Sequence, residues 1–361
     1  MKGITTVLTG PGSLDQREFA LSDPAPGGIL LQMIRANVCG SEVHILKGHH
    51  PVIQPGCALG HEGVGRVERL GSGVSTDFAG QPLAEGDRVA ATYFDTCRRC
   101  AACDRGQPNL CHNAYSSWST PTDRPPHFTG TFGTHWSLHA TQHVYRVPDN
   151  VSSKAAAAAN CALSQMVAAV TAGEVRRGDR VLLLGAGGLG LCGSALAAEA
   201  GAEVYIADMV PSRLDKAKTF GAHHAIDLSD AGGATERVDL LRELTDGGAD
   251  VVVDLTGVPA AFTEALSSAR SGGRFVSVGN VNPHQYTQFD PGLYTRSGVT
   301  MRAAIRYPAP FLSEALRFLS TSPHYPWEDL VDADFAFDGV LNAINAAEAK
   351  SVTRAGIVIA E

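Results

Sequence analysis

No run of four or more lysines and arginines occurs in this 361-residue chain, and basic side chains, 29 in all, are outnumbered by 37 acidic ones. The formal charge of −8 argues against nucleic acid and anionic membranes as partners. Met1 to Gly12 hold one lysine and no apolar run long enough for a secretory signal, which predicts a cytoplasmic protein. The uncharged stretch Val181 to Ala198 carries five glycines and follows Gly178-Asp179-Arg180, so it reads as a buried strand, turn and helix and not as a membrane span. Internal repeats are absent. Low complexity is confined to the alanines at 155–159, which are helix formers.

What is present points to two domains, since 361 residues exceed a comfortable single core. Hydrophobic residues make up 44%, ordinary for a globular protein, and 39 glycines imply many tight turns. The first 150 residues read as short strands between Gly/Pro/Asp turns, for example Ile29 to Ala36, Gly63 to Leu70 and Asp87 to Thr92. The rhythm then changes. Val181 to Leu184, Glu203 to Asp208, Ala225 to Leu228, Asp250 to Leu255, Arg274 to Gly279 and Val299 to Ala304 alternate with helical segments, which predicts an α/β, doubly wound parallel sheet of six strands. Between the halves, Ser152 to Gly173 is Ala-rich and predicted helical, with Ser152 or Ser153 as N-cap. Pro310 to Leu319 and Gly339 to Ala349 read as helices and Gly356 to Ala360 as a closing strand.

Immediately after Val181 to Leu184 comes Gly185-Ala-Gly187-Gly188-Leu189-Gly190, leading into an apolar helix. In that setting the first glycine makes the turn, the second admits a pyrophosphate and the third lets helix pack on strand. Backbone N–H groups at the helix start would hold the phosphates. Asp208 closes the next strand, where a carboxylate accepts from ribose hydroxyls and repels a 2′-phosphate, favouring NAD over NADP. Arg213 pulls the other way, since an arginine there tolerates that phosphate. Without a cofactor, Asp208 would be a helix cap and Arg213 a solvated charge.

Eight cysteines in a cytosolic chain of this size suggest metal or catalysis before disulfides. Cys97-Arg-Arg-Cys100-Ala-Ala-Cys103 places three thiols on a tight loop, and a turn at Gly106 and Pro108 returns Cys111. Four thiolates close the tetrahedral shell of a structural zinc; iron–sulfur spacings differ. Arg98, Arg99 and Arg105 would offset the charge of such a cluster.

The ordered set Cys39-Gly-Ser41-x-x-His44, Gly60-His61-Glu62-Gly-x-Gly65, Gly86-Asp87-Arg-Val89, the four-cysteine lobe, Cys161 and the glycine triplet resembles zinc-dependent alcohol dehydrogenases of the medium-chain dehydrogenase/reductase superfamily, from about residue 25 onward. The resemblance implies a GroES-like catalytic domain over 1–161 with its zinc lobe at about 95–113, a Rossmann domain over 162–304, and a return to the catalytic domain over 305–361. It further implies two zinc ions per chain, the catalytic one held by Cys39, His61 and Cys161. Ser41 and His44 would relay the proton through the nicotinamide ribose, and Glu62 would be a carboxylate behind the ligands. Gly188, Leu189, Val278 and Arg354 would join the cofactor contacts, Arg354 at the pyrophosphate. Tyr93 and Trp118 would line the substrate pocket with Ser41. Where relatives commonly have Asp, this chain has Glu42; where many have Glu, it has Cys161. Cys57 and Cys192 receive no role.

The expected reaction is reversible oxidation of an alcohol to an aldehyde or ketone, with NAD taking the hydride and a Lewis-acidic zinc making the hydroxyl acidic near neutral pH. Ser41, smaller than the threonine of many relatives, tilts the expected substrate towards secondary or bulky alcohols. A polyol or amino-alcohol would use the same chemistry. Zinc-free quinone or enoyl reductases lack the ligand set, and a non-catalytic NAD- and zinc-binding regulator would not need the relay pair. The small-molecule alcohol is the expected partner, with a homodimer or homotetramer as the expected assembly.

Overall fold

The computed structural model describes residues 1–279 and 283–360. The strands, in chain order, are β1 Lys2–Gly10, β2 Ser13–Ala20, β3 Ile29–Asn37, β4 Glu62–Leu70, β5 Arg88–Ala91, β6 His135–Leu138, β7 Val144–Arg146, β8 Arg180–Leu184, β9 Glu203–Asp208, β10 His224–Asp227, β11 Ala249–Asp254, β12 Ala269–Ser277, β13 Thr300–Ala303, β14 Ala333–Ala336 and β15 Ala355–Val358. The chain divides into two units. One comprises Met1–Ser164, Pro308–Pro323 and Trp327–Glu361, the other Gln165–Tyr307 with His324–Pro326.

In the first unit β1 and β2 form an antiparallel pair, and a seven-stranded sheet runs β14-β15-β3-β4-β5-β7, with β6 also pairing β3. The sequence of β3, Ile29-Leu-Leu-Gln-Met-Ile-Arg-Ala-Asn37, lacks the alternation of a half-exposed strand, and all of it except Gln32 is buried. Leu31, Met33, Val67, Val89 and Trp136 pack into one apolar cluster, and Ala36, Val38, Leu59, Phe132 and Ile357 into another. Full burial of each large aliphatic side chain contributes about 1.5–3 kcal/mol. The C-terminal strand β15 lies antiparallel to β3 and parallel to β14, so the end of the chain closes the sheet its beginning started.

The second unit is a six-stranded parallel sheet in the order β10-β9-β8-β11-β12-β13, the doubly wound order in which the first strand sits at the middle. Leu182, Leu184, Tyr205, Val252 and Phe275 fill the core on one of its faces. Unbroken apolar runs such as Val181-Leu-Leu-Leu184 are what a strand covered on both faces requires.

The expected single helix over Ser152 to Gly173 is broken in the structure. A short helix, Ser153–Ala156, starts on the Ser152 cap, whose side chain accepts from Ala155 N at 3.2 Å. A π-turn over Ala159–Leu163 follows, then a helix over Ser164–Ala172. Helical composition does not signal such an inserted residue. π-Turns commonly mark functional positions, and Cys161 sits at the centre of this one.

Candidate metal centre and dinucleotide site

The metal centre is assembled by three local devices. Cys39 caps the helix Gly40–Leu46, and its backbone N–H donates to Glu42 Oε2 at 2.9 Å. The other oxygen of Glu42 is 2.5 Å from His61 Nδ1, so one wholly buried carboxylate ties the cysteine's backbone to the histidine's ring. Asn160, wholly buried on the π-turn, donates through Nδ2 to the carbonyls of His61 and Ala91, both at 2.9 Å, and accepts from Gly63 N at 3.3 Å. The turn carrying Cys161 is thereby pinned to the chain around His61.

Cys39 Sγ and Cys161 Sγ are 4.0 Å apart, and His61 Nε2 is 3.2 Å from Cys161 Sγ. Two thiolates about 2.3 Å from a zinc at tetrahedral angles stand roughly 3.8 Å apart, so the donor set fits that ion. Glu62 belongs to the same group: its carboxylate and the other three ligand atoms lie within 4.8 Å of one another. One of its oxygens is bonded to Arg354, and Oε1 is buried with no hydrogen-bond partner among the described residues.

Glu62, expected as a carboxylate behind the ligands, lies within reach of the other ligand atoms, and Glu42, assigned no role from the sequence, is the carboxylate bonded to His61. Arg354, expected at a pyrophosphate, is 5% exposed and bonded to Glu62.

Electrostatics follow from burial and crowding. The contact with Cys161 holds the Cys39 thiol well below its ordinary value and pushes Cys161 well above. Burial drives Glu62 up to about 7 against the pull of Arg354. For His61, burial opposes the charge, but Glu42 and Cys39 win and favour the imidazolium. A divalent cation would replace these protons, since metal ligands bind deprotonated.

Ser41 Oγ lies 3.8 Å from Cys39 Sγ, and His44 follows one turn later with a buried Nδ1 lacking a hydrogen-bond partner among the described residues. Burial first, then His49 and Lys47, lowers the His44 pKa, which keeps the ring neutral. The rings of Tyr93 and Trp118 stand 4.8 and 5.3 Å from His61, with Trp118 Nε1 donating to Ala58 O at 2.9 Å. His50, which the sequence reading did not single out, joins this aromatic wall at 6.2 Å from Trp118 and 5.7 Å from Tyr115. Its Nδ1 accepts from Val52 N at 3.2 Å and Ile53 N at 2.9 Å, and burial, with His61 adding to it, pushes its pKa down to about 4.

Cys97, Cys100, Cys103 and Cys111 form a second group with ligand atoms within 4.8 Å of one another. Cys111 Sγ accepts from Cys97 N and Asn113 N, each at 3.4 Å. Cys97 is drawn down to about 6, by the backbone N–H of Arg99 first and then by Asn113. Arg98 adopts a left-handed φ of 57° to turn the loop between the first two thiols. Of the remaining cysteines, Cys57 is buried and donates to Ser119 O at 3.4 Å, and Cys192 is buried in the helix Gly188–Glu199.

In the second unit, Gly185 has a φ of 108°, and a Cβ at Gly190 would meet Gly185 O at 2.1 Å, so a side chain there would drive helix from strand. Gly187 caps the helix with open space around it, and Gly188 and Leu189 form its first turn. Asp208 accepts from Ala186 N at 2.7 Å and from Val210 N at 2.9 Å, which places its carboxylate beside the glycine loop. Val278 N donates to Asp254 O at 3.1 Å next to Gly279. Arg213 lies on the helix Pro211–Thr219 that follows Asp208.

Residues 25–149 match the alcohol dehydrogenase GroES-like domain family, and residues 188–321 match the zinc-binding dehydrogenase family. A 5-exo-hydroxycamphor dehydrogenase of Pseudomonas putida is 31% identical, with 98% of this chain and 96% of that one aligned. The chain belongs to the zinc-dependent alcohol dehydrogenases of the medium-chain dehydrogenase/reductase superfamily. It is an oxidoreductase of that family. A sorbitol dehydrogenase of Halalkalibacterium halodurans is 30% identical, with 77% of this chain and 77% of that one aligned. Among solved structures, an alcohol dehydrogenase of Thermotoga maritima superposes with a TM-score of 0.91 at 26% identity, covering 99% of both chains. No helix among the described residues is long and apolar enough to cross a membrane.

Proposed function

We propose that this dehydrogenase oxidises a bulky secondary alcohol, alicyclic in character, to its ketone, with NAD as hydride acceptor. The observation that carries this reading is the aromatic wall beside His61, built by Tyr93 and Trp118, together with a small Ser41 that lies 3.8 Å from Cys39 Sγ. Its relative from Pseudomonas putida, named for a rigid bicyclic alcohol, supports the same substrate class. Cys39, His61 and Cys161 would hold the catalytic zinc, and Cys97, Cys100, Cys103 and Cys111 a structural one. A bound zinc supplies Lewis acidity that brings a hydroxyl's pKa towards neutrality.

The chain's own residues do the rest. Ser41 accepts and passes on the alcohol proton without becoming charged. His44, kept neutral by burial, takes it at the outer end and exchanges it with solvent. Glu42 fixes His61 with Nε2 facing the thiols. Gly185, Gly187, Gly188, Leu189 and Gly190 offer the helix start to the cofactor phosphates, Asp208 receives the ribose hydroxyls, and Val278 and Arg213 border that site. The carboxylate at Asp208 supports NAD over NADP. All four residues of β13 are exposed at the sheet edge, which supports assembly as a homodimer or homotetramer.

The test is NADH formation across primary, secondary, cyclic and polyhydroxy alcohols, sorbitol and threonine included, with metal analysis of the same preparation. Turnover favouring cyclic secondary alcohols, with about two zinc ions per chain, is expected. Preference for sorbitol or threonine would replace the substrate class, and zinc with no turnover on any alcohol would overturn the reading.

A further inference from the structure

His50 has a fixed tautomer and a spare donor. Val52 N and Ile53 N both donate to Nδ1, so Nδ1 carries no proton and the neutral ring holds its hydrogen on Nε2. Nε2 has no hydrogen-bond partner among the described residues, whereas the ring itself is half-buried in the aromatic wall, in contact with Trp118 and Tyr115. Trp118 in turn touches the ring of His61, so His50 stands one side chain away from a zinc ligand. Trp118 and Tyr115 pack against it, and Tyr93 continues the aromatic surface beyond Trp118.

We propose that His50 is a specificity-determining residue whose Nε2–H donates to a second oxygen on the substrate, so that the enzyme prefers bulky alcohols carrying an ether, carbonyl or further hydroxyl over the plain hydrocarbon ring. This rests on the proposed reading of the site as that of a bulky-alcohol dehydrogenase. A wall made only of aromatic rings would bind such alcohols by area and accept them in several orientations. A donor on a ring held by two backbone amides favours one orientation and penalises a substrate that leaves it unpaired.

The geometry also supplies the variant. Bonds from the N–H groups two and three residues ahead are those an asparagine Oδ1 accepts in an Asx turn, so His50→Asn keeps the loop's acceptor and removes the distant donor. The zinc-loaded wild type is assayed with NAD on cyclohexanol and on methoxycyclohexanols substituted at each ring position. At least one ether isomer should exceed cyclohexanol in kcat/KM by about tenfold, the size of one hydrogen bond, and His50→Asn should bring that ratio close to one. Separately, histidine nitrogen-15 shifts of the wild type should show Nδ1 bare and Nε2 protonated at neutral pH, a readout independent of turnover.

Equal rates on all the rings, a preference that survives in His50→Asn, or the opposite tautomer would each overturn the proposal while leaving the bulky-alcohol reading intact. Turnover of none of the rings would remove that reading and this inference together. Should His50→Asn unfold, the wild-type preference and the tautomer decide the matter.

Discussion

Glu42 shows how a residue with no motif of its own governs a proposed metal ligand. Its two oxygens hold the Cys39 backbone and the His61 ring, so the histidine's orientation is set before any ion arrives. Outer carboxylates of this kind change metal affinity by about ten- to a hundredfold. Glu42→Gln is therefore expected to lower zinc affinity at this centre by that factor, read by competition with a chromophoric chelator, while the four-cysteine lobe keeps its ion. Equal loss from both sites would mean that the substitution acts on the fold. The glycines at 185, 187 and 190 were readable because their neighbours in space are neighbours in sequence. Glu42 was not, since its partner His61 reaches it only through the pairing of β3 with β4. The same distance hid the bond between Glu62 and Arg354.

Among elements, the strands of the parallel sheet were legible because continuous apolar runs have few other uses, and most observed ends differ from the expected ones by a residue or two. β12 is the exception. It starts at Ala269, well before the expected Arg274, because Ala269 already pairs with Ala249 across a register shift. The β1–β2 hairpin was not identified. β2, with Asp15, Gln16, Arg17 and Glu18 all exposed, carries too little apolar pattern to announce itself. The π-turn was equally silent, since alanine favours any helical form. What holds it is Asn160, whose three bonds reach His61, Gly63 and Ala91. Asn160→Ala leaves those buried groups unpaired and should cost at least about 3 kcal/mol in urea unfolding. The same variant should weaken zinc binding at Cys161; a variant as stable as wild type would show that the turn holds itself.

For the whole molecule, half-buried histidines contribute to the loss of stability in acid. His143 stacks on Phe78 at 4.0 Å and bonds Thr96 Oγ1 at 3.1 Å, and burial first, then Arg98, lowers it to about 4. The unfolded chain protonates this ring near its ordinary value of about 6.5. Between that pH and about 4 the unfolded state binds the extra proton, so stability falls as pH falls through this window and is level above it. His143→Gln should flatten the decline in melting temperature across that range, and an unchanged slope would assign it to other groups. Glu62 imposes a different demand, one of timing. Its bond to Arg354 spans 292 residues, and at about 5–20 residues per second a ribosome needs roughly 15 to 60 s to travel between them. Throughout that interval the nascent chain holds a carboxylate whose cation has not yet been made. Nascent chains arrested before Arg354 should remain open to protease around Cys39 and His61, so the centre becomes a late product of synthesis although most of its ligands emerge early.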